Sequence, residues 1–274
     1  MIDSNVSSAI APLPAAYHDH LARIVDLVEP DERIRGLWLS GSVARGTADA
    51  GSDLDLLLAV ADPDFDGFID GWRGWVGDIA PMLLASEIPG SRLIMHVLTE
   101  DICRIDGVVE PVGKLPESPH RTRLTVLDRD HLTDGVPDAV PGPGPSPERV
   151  TMIIEEFWRI QSIFPAMLDG RRDLLCAQIG IRNGTQLLYD TFVECNQPLP
   201  PMGVKQFSAR LTDAQTTLLE SLPTASVERT SLIMANRALC DAMATQGRAA
   251  AVQVGARYPE RLASAVEIHH RTTL

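Results

Sequence analysis

Between residues 136 and 150 the chain reads VPDAVPGPGPSPERV, with prolines at 137, 141, 143, 145 and 147. Proline lacks a backbone N–H and has a fixed φ, so this stretch builds neither a helix interior nor a central strand. It divides the chain into halves of different texture. Before it, short apolar runs are separated by turn residues; after it, apolar residues recur at helical spacing. The expectation is an α+β protein with a sheet-containing domain over 1–140, a Pro/Gly linker over 141–147 and a helical domain over 148–274.

In the first half, Leu21, Ile24, Val25 and Leu27/Val28 within AAYHDHLARIVDLVE mark one face of a helix. IRGLWLS reads as a strand that ends at Gly41-Ser42, and LDLLLAV as a second strand, apolar enough to be central in a sheet. Phe65, Phe68, Ile69, Trp72, Trp75, Val76 and Ile79 recur at three- and four-residue steps and predict an amphipathic helix despite its glycines. RLIMHVLT, CRIDGVV and RLTVLD are further strand candidates. ADPDFD reads as a solvated loop and helix N-cap, and LDRDHLTD as a surface turn. In the second half Ser146-Pro147 supplies an N-cap and first-turn proline ahead of the stripe Val150, Ile153, Ile154, Phe157, Ile160 and Phe164. Helices are expected over 171–195, 213–222, 225–246 and 258–270, and His269-His270 as a tail.

The 274 residues are 45% hydrophobic, enough to fill cores of this size. The N-terminus lacks the basic start and apolar stretch of a secretory signal, and no run approaches the length that spans a bilayer, so the expected location is the cytoplasm, without membrane contact. Cys103, Cys176, Cys195 and Cys240 form no C-x-x-C pattern and read as buried small hydrophobes. A formal net charge of −13 disfavours a nucleic-acid footprint and attracts cationic partners.

The sequence SGSVARGTADAGSDLDLLLAV carries the chemistry. On a strand, residues two apart share a face, so Asp53 and Asp55 present both carboxylates together, while Leu54 and Leu56 face the core. Paired carboxylates repel each other and are costly without a cation, and their hard oxygens suit magnesium. Ser42 opens a short segment whose free N–H groups and hydroxyl suit phosphate oxygens, with Gly41 permitting a tight turn and Gly46 a close approach. A phosphate binder beside a metal binder is what a metal-bound nucleoside triphosphate requires. A third carboxylate completes such a centre: Asp106 is the candidate, on a strand face shared with Arg104 and Val108, with Asp101, Glu110 and Asp128 as competitors. Arg45 is a candidate phosphate contact. Glu155 and Glu156 are anion candidates for a cationic substrate, or a wet helix face.

GSVARGTADAGSDLDLLL resembles the signature of the DNA polymerase beta-type nucleotidyltransferase superfamily. Together with DICRIDGVV it most resembles the aminoglycoside nucleotidyltransferases, particularly the streptomycin adenylyltransferase-like members. The resemblance is strong over 34–60, moderate over 91–110, and rests in the second half on helical character and LPPMGVKQFSARL. It implies a palm-like mixed sheet with flanking helices, followed by a helical bundle that closes over nucleotide or substrate. It further implies that Gly41 and Ser42 hold the triphosphate of ATP and that Asp53 and Asp55 bind Mg2+. Asp106 would complete the metal site and act as general base, and Lys205 would contact the triphosphate. The implied reaction places AMP on a hydroxyl of a small cationic acceptor such as an aminoglycoside. The alternatives are transfer to a protein or tRNA acceptor, and a nucleotide-binding regulatory or antitoxin-like module without turnover.

Overall fold

The computed structural model of the chain describes residues 2–88, 92–200 and 206–274. It divides into two compact units, one comprising residues up to Val140 and one comprising the helical remainder from Pro141.

The first unit is built on a six-stranded mixed sheet of β1 (Ile34–Leu39), β2 (Leu54–Val60), β3 (Met82–Ile88), β4 (Leu93–Thr99), β5 (Arg104–Pro111) and β6 (Leu124–Asp128). The strand order is β3-β4-β5-β2-β1-β6. Only the central β2/β5 pair is parallel, and the other neighbours are antiparallel. Strand alternation sorts the side chains into two faces. Leu54, Leu56, Leu58 and Val60 of β2, Leu37 and Leu39 of β1, and Met95 and Val97 of β4 enter the main core. That core also takes the apolar sides of α1 (Ser4–Ile10), α2 (Ala15–Val28) and α4 (Phe65–Gly77). The helical periodicity is met where it was expected: Leu21, Ile24, Val25 and Val28 of α2, and Phe68, Trp72 and Val76 of α4, are buried.

The opposite face carries a smaller cluster of Trp38, Leu57, Ala59 and Leu115. Gly36 is a steric requirement there, since a Cβ on it would meet the Trp38 ring at 2.1 Å. The Trp38 indole N–H donates to Thr133 Oγ1 at 2.8 Å, and that hydroxyl donates to Asp128 at 2.6 Å. LDRDHLTD is therefore more than a solvated turn: it ties the last strand and its following 3-10 turn to the buried indole. ADPDFD also differs from its reading. Asp64 makes no side-chain cap to α4, whereas Asp62 accepts from the Gly113 N–H at 2.9 Å. α1 and β3 have no counterpart in the sequence reading; β3 is an edge strand with Leu83, Leu84 and Ile88 exposed, so the alternation that reveals other strands is missing.

The second unit contains α5 (Pro147–Gln161), α6 (Leu174–Cys195), α7 (Asp213–Ser221), α8 (Arg229–Ala242), α9 (Arg248–Val254) and α10 (Glu260–Thr273). Ser146 caps α5 by accepting from the Arg149 N–H at 3.2 Å, with Pro147 in the first turn. Val150, Ile154 and Phe157 are fully buried, joined by Trp158 and Gln161 because α5 is enclosed on more than one side. The helix expected over 225–246 begins at Arg229 and ends in a π-turn at Met243–Gly247, from which α9 continues beyond the expected range. His269-His270 is no tail. Both lie in α10, and His270 Nε2 bonds to the Gln161 carbonyl at 2.8 Å, with burial pushing its pKa down.

Three cysteines are buried, as expected, but Cys176 is exposed near the start of α6. Burial pushes the Cys195 thiol up to about 11 and raises that of Cys240 further, and thiolate is the reactive form. Iodoacetamide at neutral pH should therefore label Cys176 first, with peptide mass spectrometry showing Cys195 and Cys240 unmodified until denaturant is added. Equal labelling of Cys176 and Cys240 in the native protein would contradict this packing.

Candidate functional site

The open face of the sheet collects the candidate residues at one end of the central parallel pair. Asp55 and Asp106 are direct Cα partners in the β2/β5 register. Asp53 immediately precedes β2, two residues before Asp55 and so on the same face. The alternation that sends Leu54 and Leu56 into the core aims Asp53 and Asp55 away from it.

α3 (Gly41–Ala44) is a single short turn after β1. The Ser40 N–H donates to the Asp55 carbonyl at 2.8 Å, which fastens this turn beside β2. Gly41 has φ +59, in the left-handed region, and a Cβ there would lie 1.6 Å from Asp55 Oδ2. The Asp55 carboxylate thus packs directly on the glycine backbone. Ser42 is half-buried in the same turn. Gly46 also has a left-handed φ, +70, but nothing lies within 4 Å of a Cβ placed there, so its role is the turn conformation and not close approach. Arg45 follows α3, and its buried Nε lacks a hydrogen-bond partner.

Two nitrogen-bearing side chains border the carboxylates. Arg104 Nη2 lies 3.2 Å from Asp53 Oδ2, and His96 Nδ1 lies 2.9 Å from Asp106 Oδ1. The sequence reading passed over both as site residues. Alternation on β4 sets His96 on the face opposite the buried Met95 and Val97, and the β4/β5 register then pairs it with Asp106. A neighbour that orients a catalytic carboxylate commonly contributes tenfold or more. His96→Ala should therefore lower kcat about tenfold with little change in KM for the nucleotide; steady-state kinetics with unchanged kcat would remove His96 from the site.

The competitors of Asp106 are engaged elsewhere. Asp128 accepts from the Leu132 N–H, the Thr133 N–H and the Thr133 hydroxyl; burial pushes its pKa up, but these bonds outweigh it and hold the carboxyl below its ordinary range. Glu110 is buried farther along β5, with Arg92 Nη1 2.9 Å from its Oε1. Asp101 bonds to Thr99 and His20 on the far side of the sheet. In the helical unit Glu155 pairs with Arg257, and Glu156 pairs with Arg159 at 2.6 Å, which places both on solvated ion pairs. Lys205 lies outside the described residues.

The donor set is hard oxygen, suited to magnesium. Gly41 leaves no room for a side chain, which lets the turn that carries Ser42 sit directly against the Asp55 carboxylate. Arg104 offsets the negative charge of Asp53 and His96 bonds to Asp106, contacts that a bound ion would loosen or replace.

Residues 21–83 match the family model described as nucleotidyltransferase domain. Among solved structures, the chain is similar to an aminoglycoside 6-adenyltransferase from Bacillus subtilis, with 14% identity, 94% of this chain and 97% of that chain covered, and a TM-score of 0.44. It is also similar to a nucleotidyltransferase-like protein from Exiguobacterium sibiricum 255-15, with 13% identity, 86% and 77% covered, and a TM-score of 0.33. No curated protein matches the chain. The matched residues run from α2 into β3 and include Gly41, Ser42, Asp53 and Asp55; over this segment the chain carries a nucleotidyltransferase domain.

Proposed function

We propose that the enzyme transfers AMP from magnesium-bound ATP to a hydroxyl of a small cationic acceptor of the aminoglycoside class. The observation that carries this reading is the direct pairing of Asp55 with Asp106 across the parallel β2/β5 strands, with Gly41 seated against Asp55. In it, Asp53, Asp55 and Asp106 hold Mg2+, while the α3 turn at Gly41 and Ser42, with Arg45, binds the triphosphate. Magnesium, when bound, offsets the charge that develops on the attacking and leaving oxygens.

Asp106 takes the proton from the acceptor hydroxyl as that oxygen attacks the α-phosphorus; the bond to the β-phosphate breaks, and pyrophosphate leaves while AMP stays on the acceptor. Its carboxylate is oriented by His96, whose ring nitrogen lies 2.9 Å away. Arg104 balances Asp53 and steadies the first carboxylate of the pair. A net charge of −13 draws a polycationic acceptor toward the chain. The Bacillus adenyltransferase named above acts on such compounds according to its name, which agrees with this acceptor class.

The reading is tested by incubating the protein with magnesium-ATP and single aminoglycosides, including streptomycin and spectinomycin, followed by mass spectrometry of each acceptor. The expected result is one compound that gains a single AMP. Adducts on a protein or tRNA, with every aminoglycoside unchanged, would overturn the acceptor and retain the transfer chemistry.

A further inference from the structure

Among the described residues, His20, Asp101 and Cys103 each place a donor atom within 4.8 Å of the other two. His20 projects from α2, and its Nε2 lies 3.1 and 2.9 Å from the two Asp101 oxygens. Asp101 and Cys103 belong to the tight turn between β4 and β5, on either side of Ile102. Ile102 adopts φ +63 and is 65% exposed. A β-branched residue in the left-handed region is strained, and here the strain accompanies a turn that brings a carboxylate and a thiol to the same imidazole.

The surroundings resemble those of a built ligand set. Thr99, only 1% exposed, donates its hydroxyl to Asp101 Oδ1 and also accepts from the Cys103 N–H at 3.0 Å, which fixes both ligands. Cys103 and His20 are buried, whereas Asp101 remains open to solvent and offers a route for entry and a place for a bound water. The cluster is separate from the Asp55–Asp106 rung. Cys103 and Ile105 enter the core face of the sheet, so the residues between and beyond them, Arg104 and Asp106, face the opposite side.

We propose that His20, Asp101 and Cys103 form a second metal site, selective for a borderline divalent transition ion of the zinc class over magnesium. One imidazole nitrogen, one thiolate and one carboxylate oxygen suit such an ion, with water in the fourth position. Binding displaces the proton of the Cys103 thiol, because thiolate is the ligand form, so affinity falls as pH falls. The ion fastens α2 to the start of β5. That is also where the Arg104 N–H donates to Tyr17 Oη at 3.1 Å and the Arg104 side chain reaches Asp53. The site is therefore structural and steadies the strand that carries Asp106.

The test is titration of the full-length protein with cobalt(II) in magnesium-containing buffer, followed by near-ultraviolet absorption. The expected result is a thiolate-to-cobalt charge-transfer band that saturates at one equivalent and is removed by one equivalent of zinc. Cys103→Ser should abolish the band, and His20→Gln should weaken cobalt binding at least about tenfold. Cys176→Ser and Asp55→Asn should retain it. Lack of the band in the wild-type protein at one equivalent overturns the site without reference to any variant. So does a band that survives Cys103→Ser and disappears in Cys176→Ser.

Discussion

Asp55→Asn is expected to reduce nucleotidyl transfer by about a thousandfold or more while leaving the circular dichroism spectrum unchanged. The substitution keeps the volume of the side chain and removes one charge. In the proposed site that charge is a metal ligand, and ligands of this type account for several kcal/mol of transition-state stabilisation, where about 4 kcal/mol corresponds to a thousandfold in rate. The fold is spared because Asp55 lies on the face of β2 opposite the residues that enter the main core, Leu54, Leu56 and Leu58. Asp106→Asn should behave alike, since its Cα is the register partner of Asp55. Turnover within about threefold of wild type in either variant, measured with a coupled pyrophosphate assay, would contradict the roles assigned here.

Gly41→Ala should have the second largest effect, and through a different route. Its φ of +59 costs an L-residue about 1–2 kcal/mol. Its new Cβ would lie 1.6 Å from Asp55 Oδ2, so the carboxylate must move. Displacement of a catalytic group by about 1 Å commonly costs about a hundredfold in rate. Gly46→Ala separates the two causes: φ is +70 there, yet nothing lies within 4 Å of the added carbon. Gly46→Ala should lose stability by a similar amount in thermal unfolding and keep most of its activity. If both variants lose activity equally, backbone strain in the turn, and not the seat of Asp55, explains the glycine at 41.

How far the fold was legible depended on the signal each segment carried. α2, α4 and α5 were readable because burial on one side imposes helical spacing, and the proline-rich stretch announced the change from sheet to helices. β2 was readable because the alternation of Asp53, Leu54, Asp55 and Leu56 has only one solution on a strand. β3 was not: Leu83, Leu84 and Ile88 are exposed on an edge strand, so apolar character and burial do not coincide there. The π-turn at Met243–Gly247 was equally hidden, because the apolar residues on both sides of it keep near-helical spacing.

Within the candidate site, spacing gives partners along one strand, whereas contacts across strands depend on register, which no local pattern encodes. That is why the Asp-x-Asp pair stood out, while the His96–Asp106 and Arg104–Asp53 contacts emerged only from the pairing of β4, β5 and β2. The His20–Asp101–Cys103 cluster was hidden for the same reason, since His20 and Asp101 are 81 residues apart.

The central claim is that the Asp53, Asp55 and Asp106 carboxylates use magnesium to transfer a nucleotidyl group. The most direct measurement is pyrophosphate release from ATP by the wild-type protein and by Asp55→Asn, each with magnesium and with a chelator, in the presence of a pooled aminoglycoside acceptor mixture. The expected release requires magnesium and acceptor together and is reduced at least about a thousandfold in Asp55→Asn. Release that persists in the chelator, or that is undiminished in Asp55→Asn, would contradict it.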